Sequence, residues 1–365
     1  MKVLMKGNEA LAEGAVRGGA YLFAGYPMTP QSEIMEYLSV RMPELGRIFR
    51  QTESETASIF TVYGARQAGM RTFTSSSGVG MSLMQEGISG MCAKSIPGVF
   101  ANVQRCGPGL GFALEGQGDY LRDTRGGGNG DYRVLILAPN SVQEMMDFAY
   151  ESFELAEKWK NPVEILSEGK IGQMVEPVEL PEFKETKRVV DGMDGVPKKI
   201  LLDHDDPEFG LKIAKKIEAM AEEEQRWESY LTEDAETIFT AYGIPSRTAR
   251  GAVDKLRAEG ERVGLLRVIS AWPFPVKGFA QLPDTVKRIL TIESCVTPQM
   301  AEDVLITAKK VMHLRDAEVY SLCSGPVAAK VGEIMQKYYQ IKEDPQKEAI
   351  SIIPNKAEPF NRAEL

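Results

Sequence analysis

The first half of the chain alternates short apolar runs with longer segments whose apolar residues recur every three or four positions. Short apolar runs predict buried strands, and a recurrence of three to four residues predicts helices packed on a core. Strands are predicted at residues 21–25, 47–51, 70–75, 98–105, 133–138 and 162–166, with helices between most of them. This order favours a mostly parallel sheet that carries helices on both faces.

Four polar residues are predicted to cap helices, because their side-chain oxygens can accept a backbone N–H of the first turn. They are Asn8, Thr29, Ser54 and Ser246. Thr29 is followed by Pro30, and proline is favoured at the first position of a helix. We therefore expect helices to begin at these four points.

The middle of the chain loses this regular alternation. Residues 167–208 contain several prolines and many charges, which is typical of a linker, whereas residues 211–231 predict one long amphipathic helix. The apolar stripe of that helix comprises Ile213, Ile217, Met220, Trp227 and Leu231. From residue 236 onwards, strands predicted at 237–241, 263–269, 288–293 and 318–323 alternate with helices and indicate a second α/β unit.

The length of 365 residues fits two domains of ordinary size. We predict a first domain at residues 1–175, a linker with the amphipathic helix at 176–232, a second domain at 233–342 and a C-terminal tail at 343–365. The net charge of −9 and the absence of a basic stripe argue against nucleic-acid binding. No signal segment and no long uncharged apolar run is present, so we expect a soluble, cytoplasmic protein without membrane insertion.

The four cysteines form no Cys-x-x-Cys pair. They are Cys92, Cys106, Cys295 and Cys323. A disulfide framework is not expected in a cytosolic chain of this size. An iron–sulfur cluster held by this chain alone is not expected either, because such clusters are typically bound by four grouped thiolates.

Four successive predicted strands end in residues that can carry chemistry. These endings are Tyr26-Pro27-Met28-Thr29, Glu53-Ser54-Glu55, Ser75-Ser76-Ser77-Gly78-Val79-Gly80 and Gln104-Arg105. Pro27 and Pro30 stiffen the backbone that presents Thr29, because proline fixes its own φ and restricts the preceding residue. If the strands are parallel, the four endings lie along one edge of the sheet, which is where open α/β sheets bind ligands.

Each ending also has an ordinary structural explanation. Glu55 could be an acidic residue of a first helical turn, where the helix dipole favours a negative charge. Arg105 could lie on the surface, although a charge at the head of an apolar strand needs a partner or a ligand. The glycines at 78–80 and 107–111 match dinucleotide-binding fingerprints only in part, and those of 107–130 could form a mobile lid.

Taken together, the motifs resemble the α subunit of the 2-oxoacid:ferredoxin oxidoreductases over essentially the whole chain. The matching segments are Gly7-Asn8-Glu9-Ala10, Gly25-Tyr26-Pro27-Met28-Thr29-Pro30, Glu53-Ser54-Glu55, Ser76-Ser77-Gly78, Gly107-Pro108-Gly109-Leu110-Gly111, Gly130-Asp131-Tyr132 and, after Leu265-Leu266-Arg267, Trp272-Pro273-Phe274-Pro275. The branched-chain (2-oxoisovalerate) type is the most similar, through residues 5–10, 107–111 and Ile171-Gly172-Gln173-Met174.

The resemblance implies a fold and an activity. The fold would be a parallel-sheet domain that binds the pyrimidine of thiamine diphosphate, followed by a second α/β domain like the C-terminal domain of transketolase. The activity would be oxidative decarboxylation of a 2-oxoacid on thiamine diphosphate, with formation of an acyl-CoA from coenzyme A and transfer of electrons through iron–sulfur clusters to ferredoxin.

The resemblance also implies roles for four residues. Glu55 would be the carboxylate bonded to the aminopyrimidine, and it is preferred to Glu53 because it lies nine residues before Gly64, as the family's glutamate does. Such a carboxylate favours the imino form of the ring, which takes up a proton. Thr29 would contact the substrate near its reacting carbon. Arg105 would pair with the substrate carboxylate, and Pro27 would shape the cofactor pocket.

Two absences imply partner subunits. The chain has no Gly-Asp-Gly segment, which thiamine diphosphate enzymes use to hold the metal ion and the diphosphate, and it has no cysteine cluster. By the resemblance, a β subunit would therefore carry the diphosphate and Mg²⁺ site, and further γ and ferredoxin-like subunits or domains would carry the iron–sulfur clusters. The active site would lie at a subunit interface.

The chain departs from the family pattern at two places, and other functions stay open. Asn129 stands where the family usually has histidine, and the usual Asn and Gly before Gln299-Met300 are absent. The substrate could instead be 2-oxoglutarate, pyruvate or an aryl 2-oxoacid. A second cation for 2-oxoglutarate could come from Arg122, Arg125 or Arg133. A non-catalytic scaffold subunit and a nucleotide-binding dehydrogenase are the alternatives of other classes.

Overall fold

The computed structural model describes residues 2–113, 115–184, 186 and 208–344. The strands are β1 (Lys2–Lys6), β2 (Leu22–Gly25), β3 (Ile48–Gln51), β4 (Thr72–Ser76), β5 (Gly98–Gln104), β6 (Leu135–Leu137), β7 (Pro162–Glu168), β8 (Val175–Glu179), β9 (Trp227–Tyr230), β10 (Thr237–Ala241), β11 (Val263–Val268), β12 (Ser270–Trp272), β13 (Arg288–Glu293) and β14 (Glu318–Cys323). The helices are α1 (Gly7–Arg17), α2 (Ser32–Glu44), α3 (Glu55–Gln67), α4 (Val79–Ala93), α5 (Tyr120–Arg125), α6 (Val142–Trp159), α7 (Gly169–Gln173), α8 (Phe209–Glu223), α9 (Gly243–Ala258), α10 (Val276–Ala280), α11 (Met300–Lys310) and α12 (Val331–Glu343). Within these ranges, no helix combines the length and the apolar character needed to cross a membrane.

Two mainly parallel sheets organise these elements. The first has seven strands in the order β12-β6-β7-β5-β4-β2-β3, and only the edge strand β12 runs antiparallel to its neighbour. The second has five strands in the order β14-β13-β10-β11-β9, with β9 antiparallel at one edge. The α/β class with parallel sheets, as predicted from the alternation of apolar runs, is confirmed.

The first sheet is covered on both faces, as parallel sheets usually are. Successive residues of β2 enter different apolar clusters, because side chains of a strand alternate between its two faces. Phe23 is fully buried among residues of α1, α2 and α6. Ala24 is buried on the opposite face, in the cluster that holds residues of α3 and α4. The strands are thereby fixed by packing on both sides, and the loops at their ends are free to carry function.

Of the four predicted helix caps, only Ser54 is confirmed, since its Oγ accepts the Ala57 N–H at 3.2 Å. Asn8 lies inside α1 and its amide donates instead to Pro30 O at 2.8 Å. The prediction for Thr29 is also wrong, because α2 begins only at Ser32. Ser246 lies inside α9, which begins three residues earlier. In these three cases distant contacts outweigh the local preference for a cap.

The long amphipathic helix predicted for residues 211–231 is wrong in its second half. The helix α8 ends at Glu223, and Trp227 begins β9, which pairs with β11 in the second sheet. The apolar residues keep their helical spacing beyond Glu223 by coincidence. Residues 227–230 form a strand instead, because their backbone pairs with the edge of β11. Residues 187–207 of the predicted linker and 345–365 of the predicted tail lie outside the described residues.

The two sheets are physically interlocked. Strand β12, which precedes the turn at Pro273, leaves the second unit and pairs with β6 at the edge of the first sheet. Strand β8 similarly pairs with β1, which is far from it in sequence. Two strands of the chain thus pair with partners that are distant in sequence. The boundaries at residues 175, 232 and 342 stay a prediction.

The two units also meet at Glu168, the last residue of β7. Its Oε1 accepts the Ile244 N–H of α9 at 2.7 Å and the Gln117 amide at 3.4 Å. Burial raises the pKa of this carboxyl group to about 8, so the folded protein keeps a proton that an unfolded chain releases near pH 4.3. Stability is therefore expected to fall as the pH rises through this window and to level off above pH 8.

The substitution Glu168→Gln tests this expectation. Glutamine keeps an oxygen for the Ile244 N–H but cannot ionise, so the variant should lose much of the decline in thermal midpoint between pH 5 and pH 8. The rise in the pKa of Glu168 from about 4.3 to about 8 corresponds to a change of roughly 5 kcal/mol at most in the free energy of unfolding. Glu36→Gln, on the exposed face of α2, is the matched control. Equal pH profiles for wild type and Glu168→Gln would show that this carboxylate does not titrate late.

Candidate active site

The carboxyl ends of β2, β3, β4 and β5 lie along one edge of the first sheet, as predicted from the four strand endings. All neighbouring pairs among them are parallel. The strand order also shows where the chain changes direction: β2 leads outward to β3 on one side, and β4 leads to β5 on the other. The crevice between the ends of β2 and β4 is a topological switch point, the place where open α/β sheets bind their ligands.

Glu55 is the buried acid of this edge. It opens α3 directly after its cap Ser54, and only 2% of its surface is exposed, whereas Glu53 is exposed. One carboxylate oxygen accepts the Ser76 hydroxyl at 3.3 Å. A β-carbon at Gly80 would lie 2.1 Å from the Ser76 hydroxyl and 2.4 Å from the same carboxylate oxygen, so a larger residue there would push these two groups out of place. The carboxylate is thus buried at a helix N-terminus and keeps capacity to accept further hydrogen bonds.

Arg105 is the buried cation of the edge. It is 4% exposed, and its Nη1 donates to the carbonyl of Thr29 at 3.2 Å. Its Nε and Nη2 are buried without a hydrogen-bond partner, and no carboxylate of the described residues forms an ion pair with it. Burying a charged group without a counter-charge is unfavourable, so the arrangement suits an anionic ligand at the two unused donors.

A glycine turn lies between the acid and the cation. Gly78 follows β4 with φ +50°, and a β-carbon there would lie 2.5 Å from Arg105 Nε. Two residues later Gly80 packs against Glu55. The turn therefore brings Glu55 and Arg105 to opposite ends of one short backbone segment. The sequence pattern predicted only that the two residues lie on the same edge of the sheet.

The turn that carries Thr29 is held by side chains that the sequence analysis missed. Gln31 is fully buried, donates to Tyr26 O at 3.1 Å and accepts the Ser75 hydroxyl at 2.7 Å. The amide of Asn8 holds the other end of the turn, at Pro30 O. Thr29 itself is exposed and meets Arg105 through its backbone carbonyl.

Pro27, the remaining predicted site residue, is exposed on the same turn. The structure therefore joins Thr29 to Arg105 directly and joins Arg105 to Glu55 through the glycine turn, whereas Pro27 shares with them only its place on the turn after β2.

A second buried network supports the glycine turn. Arg122 donates to Gly78 O at 2.7 Å and pairs with Asp123 at 2.8 Å and Asp119 at 3.2 Å. Asn102 of β5 donates to both of these carboxylates, at 2.7 and 3.1 Å. Nothing in the local sequence indicates this network, because Arg122 and Gly78 are 44 residues apart.

Acids outnumber the arginine in this network. Burial raises the pKa of Asp119, and burial together with the neighbouring Asp123 raises the pKa of Glu164 well above its usual range. Both shifts follow from burying several carboxyl groups beside the single guanidinium of Arg122.

The other arginines of the loop are also bound within the chain. Arg125 forms a bidentate pair with Asp303, with distances of 2.9 and 3.0 Å, and Arg133 donates to the carbonyls of Arg125 and Tyr132 at 3.1 and 2.7 Å. Asn129 is exposed, and its carbonyl accepts the Ser89 hydroxyl at 2.8 Å. None of these groups joins Arg105 in the crevice through a contact seen within the described ranges.

Two family models match the chain. The model for pyruvate flavodoxin/ferredoxin oxidoreductase, thiamine diphosphate-binding, covers residues 13–239, and that for pyruvate:ferredoxin oxidoreductase core domain II covers residues 235–331. The ketoisovalerate oxidoreductase subunit VorB of Methanothermobacter thermautotrophicus is 42% identical, over 93% of this chain and 98% of that protein. The 2-oxoglutarate synthase subunit KorA of Methanocaldococcus jannaschii is 36% identical, over 82% of this chain and 89% of that protein.

Solved structures show the same fold. The 2-oxoglutarate:ferredoxin oxidoreductase from Magnetococcus marinus, solved with 2-oxoglutarate, coenzyme A and succinyl-CoA bound, matches with a TM-score of 0.80 at 24% identity, over 93% of this chain and 65% of that chain. A split-gene transketolase, an inactive β4 tetramer, matches with a TM-score of 0.55 at 15% identity, over 92% and 93%. The fold implied by the sequence motifs is confirmed, and this chain belongs to the 2-oxoacid:ferredoxin oxidoreductase family of enzyme subunits.

Proposed function

We propose that this chain is the α-type subunit of a complex that oxidatively decarboxylates a branched-chain 2-oxoacid to its acyl-CoA and passes the electrons to ferredoxin. The observation that carries the proposal is that a buried acid, Glu55, and a buried, incompletely bonded cation, Arg105, lie separately at the switch point of the first sheet. A ketoisovalerate oxidoreductase subunit at 42% identity supports the substrate class.

Glu55 fits the aminopyrimidine end of thiamine diphosphate. Its carboxylate is buried and, among the residues that the structure describes, accepts a hydrogen bond from Ser76 alone, at 3.3 Å, so it can accept another. In this role Glu55 holds a ring N–H and thereby favours the tautomer that accepts a proton. The bound cofactor supplies the nucleophilic carbon and takes up the electron pair released by decarboxylation.

Arg105 fits the carboxylate of the substrate. Its two unused N–H groups offer the planar fork that carboxylates prefer, and burial strengthens the pairing. Thr29, whose carbonyl already positions Arg105, would contact the substrate near its reacting carbon. Pro27 would form the outer wall of the cofactor pocket.

The charges around the crevice favour an acid with one carboxylate. Arg122 and Arg125 are paired with carboxylates of this chain, which argues against either as the second cation that 2-oxoglutarate requires. Arg133 is held by two backbone carbonyls and makes no contact with Arg105 within the described residues. The loop after Arg105 instead exposes Leu110, at 75%, and Phe112, at 45%. These apolar groups suit a branched aliphatic side chain. Relatives named 2-oxoglutarate synthase subunits make 2-oxoglutarate the second candidate.

Partner subunits complete the proposed site. Thr29 and Pro27 are exposed at the open crevice, and the chain lacks the segment that binds the diphosphate and its metal ion. We place the diphosphate and Mg²⁺ on a β subunit and the iron–sulfur clusters on further γ and ferredoxin-like subunits. The cysteines support this division, since no three of the four sulfurs lie within 4.8 Å of one another among the described residues, and only Cys295 and Cys323 form a hydrogen-bonded pair there.

A substrate panel on the co-expressed complex tests the proposal. With coenzyme A and a viologen dye as electron acceptor, 2-oxoisovalerate is expected to give the highest kcat/KM, at least about tenfold above 2-oxoglutarate, a difference of ~1.4 kcal/mol. A higher kcat/KM for 2-oxoglutarate would show that 2-oxoglutarate is the substrate instead. If no 2-oxoacid gave activity, the chain would be better explained as a non-catalytic scaffold subunit.

Cofactor binding tests the shared site. Calorimetry with thiamine diphosphate and Mg²⁺ is expected to show saturable binding to the complex and none to the isolated chain at the same concentrations. The complex serves as its own positive control. Tight binding by the isolated chain would contradict a site divided between subunits.

A further inference from the structure

Two cysteines that are 28 residues apart in sequence meet in the second sheet. Cys323 ends β14, and Cys295 lies two residues beyond the end of the neighbouring parallel strand β13. Their sulfur atoms are 3.7 Å apart. Neither cysteine belongs to a motif, so only the pairing of the strands reveals the contact.

The two thiols are not equivalent. Cys295 is buried, and its S–H lies within reach of two acceptors, the sulfur of Cys323 at 3.7 Å and Glu293 Oε2 at 3.8 Å. Cys323 is half-buried and also lies 3.4 Å from the Ser321 hydroxyl. The hydrogen bond from Cys295 lowers the pKa of the Cys323 thiol, and the same bond raises the pKa of Cys295. Cys323 is therefore the more accessible sulfur and the better nucleophile, and Cys295 is placed to attack it in turn.

A metal ion is the competing explanation, because a carboxylate oxygen of Glu293 lies within 4.8 Å of both sulfurs. That carboxylate is already occupied. It accepts three backbone N–H groups at the start of α11, from Gln299 at 3.0 Å, Met300 at 2.8 Å and Ala301 at 3.2 Å. Two thiols without it fall short of the four ligands of a structural zinc site, so the sulfurs are left to react with each other.

The loop after Glu293 contacts the first unit. Ser294 and Gln117 exchange two hydrogen bonds, with distances of 2.6 Å to the Ser294 carbonyl and 3.0 Å from the Ser294 N–H. Gln299 accepts the Leu121 N–H at 3.0 Å and donates to Gly118 O at 3.1 Å. Residues 294–299 thus hold the segment 117–121, which leads into the network of Arg122 beneath the glycine turn.

We propose that Cys295 and Cys323 form an oxidisable dithiol that exchanges with low-molecular-weight disulfides, and that closing their bond displaces the segment 117–121. Closing the bond must shorten the distance between the two sulfurs from 3.7 Å to about 2.05 Å, the length of a disulfide bond. The two sulfurs must therefore approach each other by more than an ångström. Because Cys295 lies in the loop that binds Gln117, this movement reaches the first unit.

The exchange balances without any further reactant. The Cys323 thiolate attacks one sulfur of the small disulfide, forms a mixed disulfide and releases one thiolate. Cys295 then attacks the Cys323 sulfur and expels the second thiolate, and the two released thiolates take up the protons that Cys323 and Cys295 lose through the solvent. Two protein thiols are oxidised to one disulfide, and the small disulfide is reduced to two thiols.

Thiol mapping on the whole complex tests the dithiol. The complex is incubated anaerobically with oxidised glutathione, alkylated and digested. A peptide joining residues 295 and 323 is expected, and two of the four cysteines of the chain should escape alkylation. Dithiothreitol should reverse both changes. The buried Cys92 serves as the internal control that stays alkylatable after denaturation. Failure to form the joined peptide, or stoichiometric zinc that protects both thiols, would overturn the dithiol.

Activity tests the displacement and rests on the proposed function. The oxidised wild-type complex is expected to lose most of its 2-oxoacid-dependent activity and to recover it with dithiothreitol, while Cys323→Ser should keep its activity under the same treatment. An equal loss of activity in wild type and Cys323→Ser would show that the disulfide does not cause the loss. An unchanged rate in a wild type whose Cys295–Cys323 bond is fully formed would show that the bond does not affect the active site. A reduced complex without activity would instead contradict the proposed function, and thiol mapping would still decide the dithiol.

Discussion

Replacing Glu55 with glutamine is expected to lower kcat of the assembled enzyme by about 10²- to 10⁴-fold, the range found when a proton-transferring group is lost. The buried carboxylate faces a cleft with one neutral hydrogen-bond donor, the Ser76 hydroxyl. Glutamine fills the same volume, but it carries no negative charge to stabilise the protonated ring nitrogen. The loss should appear at saturating substrate, because the substrate itself is held by Arg105.

The neighbouring Glu53 provides the matched control. It lies two residues away, is exposed and carries the same charge, so Glu53→Gln should retain activity within about twofold, as surface substitutions usually do. Dye reduction with a saturating 2-oxoacid measures both variants, and thermal midpoints confirm that both complexes are folded. Activity of Glu55→Gln at the level of Glu53→Gln would remove Glu55 from the proposed mechanism.

Replacing Arg105 with methionine is expected to separate activity from stability. Truncating one partner of a buried charge pair typically costs 2–5 kcal/mol, so kcat/KM should fall by roughly 30- to 4000-fold, mainly through KM. The thermal midpoint without substrate should not fall, because the guanidinium is buried with two N–H groups unpaired and its removal relieves an uncompensated charge.

Arg105→Lys and Arg125→Lys sharpen this test. Lysine at position 105 keeps the charge but not the planar fork, so it should recover only part of the lost affinity. Arg125 is paired with Asp303 away from the crevice, so its conservative replacement should leave KM nearly unchanged. A wild-type KM for Arg105→Met would show that another group binds the substrate carboxylate.

The sequence predicts the first sheet and its functional edge because both depend on local signals. Apolar runs of strand length separated by helical periodicity lead to parallel strands, and parallel strands bring the residues that follow them to one edge. The choice of Glu55 over Glu53 agrees with burial, since Glu55 is 2% exposed whereas Glu53, which precedes the helix, is exposed.

Contacts between distant segments explain what the sequence could not predict. The pairing of Arg122 with Gly78 and that of Cys295 with Cys323 depend on which strands become neighbours. The cap assigned to Thr29 failed for a related reason. Asn8 of α1 binds the backbone of that turn at Pro30, and Gln31 binds it at Tyr26, so the helix starts later than local preference indicates.

Strand β12 has a consequence for how the protein is made. The first sheet ends in the open backbone edge of β6 until residues 270–272 pair with it. On the ribosome, this edge stays unprotected for more than a hundred residues of synthesis after β6 itself has emerged, and bare strand edges recruit other chains. The edge is covered only once residues 270–272 have been translated, about midway through the second half of the chain, so until then the nascent chain carries a strand edge that other chains could bind.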